Sequence, residues 1–199
     1  MNRLAITLVW SWLLLPACTA ERTGGDPAQL QYVDLQGRSH HPLHCPDQIA
    51  TVLFFVTYDC PIANALAPEI QSIVEDHQDS PLRFLLVHVD PDVTTATAQT
   101  HATDYRLTLP TILDPHHYLV QKLGVTITPE AAVWTQAGDL AYRGRINDLF
   151  ADLGQKRRAP TSHDLRDALN ALLSDKPVQT PRTTAIGCDI PDALPTRGR

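Results

Sequence analysis

One cysteine stands at the junction between a buried strand and an amphipathic helix. Residues 51–57 (TVLFFVT) form a continuous apolar run, which predicts a strand that is buried on both faces. After Cys60-Pro61 the apolar residues follow a helical period as far as His77, and proline is well accommodated in a first helical turn. The sequence therefore places Cys60 at a helix amino terminus, where unpaired N–H groups and the helix dipole favour a thiolate.

The rest of the pattern predicts an α/β fold. A hairpin comes first, then three strands that each precede a helix, then a second hairpin and a closing helix (residues 32–43, 51–57, 61–77, 82–89, 94–105, 109–113, 115–123, 131–145 and 165–173). Parallel βαβ units followed by an antiparallel hairpin indicate an α/β/α sandwich with a mixed central sheet.

The amino terminus predicts export. Arg3 precedes an apolar run over residues 4–15, which is too short to span a bilayer and has the length of a signal-peptide core. The run ends in Leu15-Pro16-Ala17-Cys18, which resembles a bacterial lipobox. The alternative is an ordinary secretory signal that is cleaved near Ala20.

The lipobox interpretation divides the chain into four parts. Residues 1–17 are predicted to be a lipoprotein signal peptide, and Cys18 is the lipidated residue at the start of a polar tether over 18–30. A domain over 31–175 and a Pro/Thr-rich tail over 176–199 follow. We therefore expect a membrane-anchored lipoprotein on the periplasmic side of a bacterial envelope.

Three cysteines remain beyond Cys18, so at most one disulfide can form among Cys45, Cys60 and Cys188. Cys188 lies in an apolar island (AIGCDIP) within the tail, and this island is predicted to dock on the domain. There it could reach Cys60 as a resolving thiol, a structural partner or a metal ligand, or it could pair with Cys45. The net charge of −6 argues against nucleic acid as a partner.

Three segments together resemble the thioredoxin-like fold and its redoxin family, which includes alkyl hydroperoxide reductase and thiol-specific antioxidant proteins. They are CPIANALAPEI, with Pro68 eight residues after Cys60, then TPE before the strand AAVW, and YRGR in the last hairpin. The resemblance implies a cis Pro129. It also implies that the Thr128 backbone faces Cys60 and that Thr128 and Pro129 bind substrate.

Two departures from the family patterns matter for the chemistry. Ala63 stands where a thioredoxin has its second cysteine, so no local Cys-x-x-Cys dithiol can form. The peroxiredoxin pattern keeps Thr57 three residues before Cys60 but has Leu53 in place of its proline. In that pattern, the threonine hydroxyl donates to the sulfur or to a peroxide oxygen.

The sequence thus predicts a thiol-based redox protein of the cell envelope that has no cofactor. Cys60 would react with a peroxide or a protein disulfide, with help from Thr57, and Cys188 would resolve the product. A thiol reductant or a client protein in the envelope would be the partner. Whether the chain turns over as an enzyme is left open by the missing dithiol motif.

An alternative is a copper-binding metallochaperone or respiratory-oxidase assembly factor. His88 lies in the otherwise apolar strand FLLVHVD, and a set of Cys60, His88 and Cys188 would suit copper. A third possibility is a redox-inert binding module that uses the groove at Pro129. Arg143 and Arg145 could stabilise a Cys60 thiolate or simply lie in solvent.

Overall fold

The computed structural model describes residues 30–195. The predicted signal peptide, the lipidation of Cys18 and almost the whole tether lie outside the described residues. Among the helices of residues 30–195, none is long and apolar enough to cross a membrane.

Eleven strands and four helices make up the described chain. The strands are β1 (Tyr32–Val33), β2 (Ser39–His40), β3 (Ala50–Val56), β4 (Leu82–His88), β5 (Thr111–Leu113), β6 (Ile127–Thr128), β7 (Glu130–Thr135), β8 (Leu140–Gly144), β9 (Phe150–Asp152), β10 (Gln155–Lys156) and β11 (Cys188–Asp189). The helices are α1 (Pro61–Asp76), α2 (Thr95–Asp104), α3 (Tyr118–Leu123) and α4 (Asp164–Leu173).

The central sheet has five strands in the order β5-β4-β3-β7-β8. β3 pairs in parallel with β4, and β4 pairs in parallel with β5. The β7–β8 hairpin joins the other side of β3 in the antiparallel sense. The mixed sheet confirms the predicted fold class.

Alternate residues of β3 face two separate apolar layers. Val52 and Phe54 pack with α1 and α4, whereas Leu53 and Phe55 pack with α3 on the other face. All seven residues of β3 are buried, as the uninterrupted apolar run predicts for a strand covered on both faces. This covering by helices on both sides makes the α/β/α sandwich.

Two details were not foreseen from the sequence. Residues 150–156 form the small antiparallel hairpin β9–β10. His117, the N-cap residue of α3, is buried, and its Nε2 lies 2.7 Å from the Val89 carbonyl oxygen.

The tail is an ordered part of the described structure. The Arg143 amide donates to the Pro181 carbonyl at 3.0 Å, and the Thr183 amide donates to the Arg143 carbonyl at 3.2 Å, so the tail first runs along the outer edge of β8. It then reaches β6, with which β11 pairs. Farther on, the Leu194 amide donates to the Pro115 carbonyl at 2.8 Å. The docking predicted for the apolar island is therefore present.

Packing of α4 on the sheet gives a stability prediction. Leu169 of α4 is fully buried, so Leu169→Ala should lower the free energy of unfolding by about 2–5 kcal/mol through lost burial and a cavity. Leu173 of the same helix is 37% exposed, and Leu173→Ala should change it by no more than about 0.5 kcal/mol. Urea unfolding of both variants measures the difference, and equal losses would contradict the assigned packing face.

Candidate active site

Cys60 is the N-cap residue of α1, with extended backbone angles of φ −73° and ψ 112°. Its Sγ accepts a hydrogen bond from the Ala63 amide at 3.4 Å, so the sulfur takes the place of the usual capping hydroxyl. The thiol also donates to the Thr128 carbonyl oxygen at 3.2 Å. Only 1% of Cys60 is exposed. The helix terminus is therefore aimed at the sulfur, as the sequence predicts.

The segment before β7 lies directly opposite this thiol. The Thr128–Pro129 peptide bond is cis, and the Thr128 carbonyl faces Cys60. The Thr57 hydroxyl lies 3.1 Å from the Thr128 hydroxyl, and both side chains are buried. Thr57 therefore belongs to the same cluster as Cys60, but its hydroxyl pairs with Thr128 and not with the sulfur.

The tail brings a second thiol to the cluster. β11 pairs with β6 in the antiparallel sense, with Cys188 opposite Thr128 and Asp189 opposite Ile127. The Thr128 hydroxyl donates to the Cys188 carbonyl at 3.4 Å. Gly187 lies so close to Thr128 that an added Cβ would overlap the Thr128 carbonyl oxygen. The absence of a side chain at residue 187 therefore permits this pairing.

The Cys188 thiol is less acidic in this position than an ordinary cysteine. Burial, a hydrogen bond with the Cys60 side chain, and the negative charges of Cys60 and Asp59 together raise the pKa of Cys188 to about 12. The Ile62 amide acts weakly in the opposite direction. All three cysteines of residues 30–195 are free. Cys188 is therefore a thiol at neutral pH and lies beside Cys60.

Cys45 lies apart from this pair, which leaves it without a role in the site. It is buried near Arg83, at the start of β4, where a negative charge on Cys45 would raise the pKa of the Arg83 guanidinium. The Arg83 guanidinium donates to the carbonyl oxygens around it, including that of His44 at 3.1 Å. The alternative pairing of Cys45 with Cys188 has no support in this arrangement.

His88 is not grouped with the two thiols, so this structure does not assemble the predicted ligand set of Cys60, His88 and Cys188. Its Nδ1 lies 3.3 Å from Asp90 Oδ2, and its ring contacts His101 edge-on at a centroid distance of 4.9 Å. Within residues 30–195, no three His, Cys, Asp or Glu side chains are grouped as metal ligands. The side chain of His88 is held by Asp90 and α2, away from the thiol pair.

The two arginines of the last hairpin bind other partners and not Cys60. Arg143 Nε lies 3.3 Å from Glu130, and its guanidinium also donates to the Gly124 carbonyl. Arg145 forms a two-fold ion pair with Asp164 at the start of α4. Both residues tie the hairpin to its neighbours, so the idea that they stabilise a Cys60 thiolate is not supported.

Sequence reasoning missed the residues that hold the loop before Cys60. The Asn64 side chain donates to the Tyr58 carbonyl at 3.2 Å, and its oxygen lies 2.8 Å from His101 Nε2. The Tyr58 amide donates to Asp90 at 3.3 Å. Asn64 lies on the partly exposed side of α1, so its helix position gave no signal, and nothing in the chain marks His101 as its partner.

Comparison with known proteins identifies the family to which the chain belongs. The AhpC/TSA family model matches residues 31–146. A hypothetical protein from Sinorhizobium meliloti is 20% identical, with a TM-score of 0.71 over 81% of this chain and 89% of that one. An uncharacterised conserved protein from Geobacillus kaustophilus is 19% identical, with a TM-score of 0.72 over 84% and 90%.

A secreted disulfide oxidoreductase from Mycobacterium tuberculosis is more distant. It is 17% identical, with a TM-score of 0.52 over 75% of this chain and 97% of that one. These solved structures support the thioredoxin-like fold. Among curated proteins, none has significant sequence similarity to this chain.

The close approach of Gly187 to Thr128 gives a second prediction. Gly187→Ala should push β11 off β6, because the new methyl group overlaps the Thr128 carbonyl oxygen. Cys60 should then be alkylated about tenfold faster or more in the reduced protein, since local opening governs access to buried groups. Thr184→Ala, an exposed change in the same tail, is the matched control. Unchanged alkylation of Cys60 in Gly187→Ala would show that β11 does not cover it.

The acidity of Cys188 gives a third prediction. A pKa raised to about 12 means that the thiol form persists until the pH approaches that value. At pH 8 the thiolate fraction of Cys188 should therefore be far below that of an ordinary cysteine, of which roughly one molecule in four is ionised. Alkylation of Cys188, followed by peptide mass spectrometry, should keep accelerating above pH 10. A plateau near pH 9 would contradict the assigned environment.

Proposed function

Because the chain belongs to the AhpC/TSA family, we propose that it is a thiol-based oxidoreductase in which Cys60 is the nucleophile and Cys188 is the resolving thiol. The pairing of β11 with β6, which brings Cys188 beside Cys60, is the observation that carries this proposal. A local dithiol is replaced here by two cysteines that are far apart in sequence.

Two features of the cluster bear on the nucleophilic role of Cys60. Its sulfur caps α1 and accepts from the Ala63 amide, and donors at a helix terminus stabilise a developing thiolate. The Thr57 hydroxyl is paired with the Thr128 hydroxyl in the described state, so it would have to leave that partner to donate to an oxygen of an incoming oxidant. No metal or organic cofactor is needed for this chemistry.

The reaction that we propose has two steps before reduction. The Cys60 thiol gives up its proton and its sulfur attacks one oxygen of a hydroperoxide. The O–O bond breaks and the released proton goes to the leaving oxygen, so Cys60 becomes a sulfenic acid and an alcohol or water leaves. The Cys188 sulfur then attacks the Cys60 sulfur, forming a disulfide and releasing water. A thiol reductant finally transfers two electrons and two protons, which restores both thiols.

The acidity of Cys188 depends in part on Cys60. Burial is the largest cause of its raised pKa, followed by the hydrogen bond with Cys60 and the negative charge of Cys60. Conversion of Cys60 to a sulfenic acid removes that charge but not the burial. Oxidation of Cys60 should therefore lower the pKa of Cys188 only in part.

The covered position of Cys60 favours a small oxidant over a protein disulfide. Cys60 is 1% exposed, and the Thr128 backbone that would bind an extended substrate already pairs with β11. A protein disulfide would first have to displace the tail, whereas a hydroperoxide needs only a small local opening. Attack on a protein disulfide therefore remains the secondary reaction of this proposal.

The remaining parts of the proposal concern location and partners. We propose a lipoprotein anchored through Cys18 on the periplasmic side of a bacterial envelope, with an envelope thiol reductant as its partner. Copper delivery to a respiratory oxidase remains the alternative proposal, and it would have to use Cys60 and Cys188 without His88.

Thiol-trapping mass spectrometry provides the fourth prediction. One equivalent of hydrogen peroxide should convert the reduced protein to a form with a Cys60–Cys188 disulfide. In Cys188→Ser the Cys60 sulfenic acid should accumulate and react with dimedone, because its partner thiol is absent. Cys45→Ser is the matched control, since Cys45 is buried away from the site, and it should behave like the native chain.

Three other outcomes would argue against a peroxide reaction or replace it with another function. An unmodified Cys60 at peroxide concentrations that oxidise a free thiol would exclude the peroxide reaction. If that protein instead forms the Cys60–Cys188 disulfide with an oxidised protein substrate, disulfide exchange is its reaction. If it binds one Cu⁺ and Cys60→Ser abolishes the binding, the copper alternative replaces the redox proposal.

A further inference from the structure

A second buried polar cluster lies next to the loop before Cys60, and neither thiol belongs to it. His88 at the end of β4 is fully buried, and His101 of α2 is 6% exposed. Their rings meet edge-on at a centroid distance of 4.9 Å. One nitrogen of each ring, His88 Nε2 and His101 Nδ1, is buried without a hydrogen-bond partner within residues 30–195.

The neighbours of His88 fix which of its nitrogens carries the proton. Its Nδ1 lies 3.3 Å from Asp90 Oδ2, and the same oxygen accepts from the Tyr58 amide. An ionised carboxylate can only accept hydrogen bonds, so Nδ1 is the donor. In the neutral ring the proton therefore lies on Nδ1, and Nε2 presents a lone pair.

The neighbours of His101 likewise determine which of its ring nitrogens carries the proton. Its Nε2 lies 2.8 Å from Asn64 Oδ1, and the Asn64 amide nitrogen donates to the Tyr58 carbonyl. Because the amide nitrogen is used there, Oδ1 faces the histidine and can only accept. Nε2 is therefore the donor, and His101 Nδ1 presents a lone pair.

Two touching, buried histidines thus each present an unpartnered lone pair. Such a pair of acceptors cannot satisfy one another, and buried polar groups without partners are rare in folded proteins. A cation held between the two rings would give both nitrogens a partner. We propose that His88 Nε2 and His101 Nδ1 are ligands of a bound transition-metal ion of the kind that prefers imidazole, such as Zn²⁺ or Cu⁺.

The surroundings suit a metal in two further respects. A histidine that donates its other ring nitrogen to an oxygen acceptor is the arrangement that orients metal ligands in proteins, and both rings have it. A cavity of about 450 Å³, lined by Tyr58, Asp104 and Tyr105 among others, also includes His101 in its wall, on the α2 side of the histidine pair. No third His, Cys, Asp or Glu is grouped with them in the described residues, so the proposed site has two protein ligands.

The test is a metal titration of the reduced full chain, freed of metal beforehand, with Zn²⁺ and Cu⁺ in separate competition assays against a chelator. One equivalent of at least one ion should bind, and His88→Gln and His101→Gln should each weaken that binding at least tenfold. His77→Gln is the matched control, because His77 is a buried histidine whose Nδ1 is already paired with the Ile73 carbonyl. Cys60→Ser and Cys188→Ser should bind as the native chain does.

Imidazole ¹⁵N NMR of the native chain gives a second readout that needs no variant to fold. On metal binding, the signals of His88 Nε2 and His101 Nδ1 should shift while their bonded partners keep their protons. The proposal is overturned if neither ion binds, or if binding survives both histidine changes. It is also overturned if binding requires a thiol, or if the metal-free spectrum shows a proton shared between the rings.

Discussion

All seven residues of β3 are buried between β4 and β7, and the position of the thiol site follows from this burial. A strand covered on both faces cannot shift along its neighbours without moving every apolar side chain to the wrong layer. Its end is therefore fixed, and with it the N-cap residue of α1, Cys60, three residues after Thr57. Cys60 meets the cis Thr128–Pro129 segment because β7, which begins at Glu130, pairs along the same strand.

A thiol pair built in this way differs physically from a local Cys-x-x-Cys pair. Cys188 follows Cys60 by more than a hundred residues, so the approach of the two sulfurs depends on the tail, and specifically on two residues of β11 and on the bare backbone of Gly187. In the chain-entropy model a crosslink that closes a loop of that length restricts the unfolded chain by roughly 4–5 kcal/mol. The redox state of the pair is therefore coupled to the stability of the whole domain.

The elements that the sequence predicted correctly are those that depend on residues close to one another along the chain. β3, α1 and the capping position of Cys60 each depend on neighbours within one or two turns, and all three were identified correctly. The position of His88 along β4 was also predicted, but its contacts were not, because they depend on how α2 packs and on Asn64 of a different helix. Arg143 and Arg145 could not be assigned for the same reason, since their carboxylate partners, Glu130 and Asp164, are brought close only by the folded hairpin and α4.

The course of the tail along β8 has a consequence for how the protein behaves among other molecules. β8 is the last strand of the sheet, and the unpaired amides and carbonyls of such a strand are a template for adding a foreign strand. Residues 181–183 occupy part of that edge, through the bonds of Pro181 and Thr183 to Arg143. Pro181 has no amide proton to offer a further strand. The segment that carries Cys188 to the site thus also covers part of the edge of β8, where a strand of another molecule could otherwise pair.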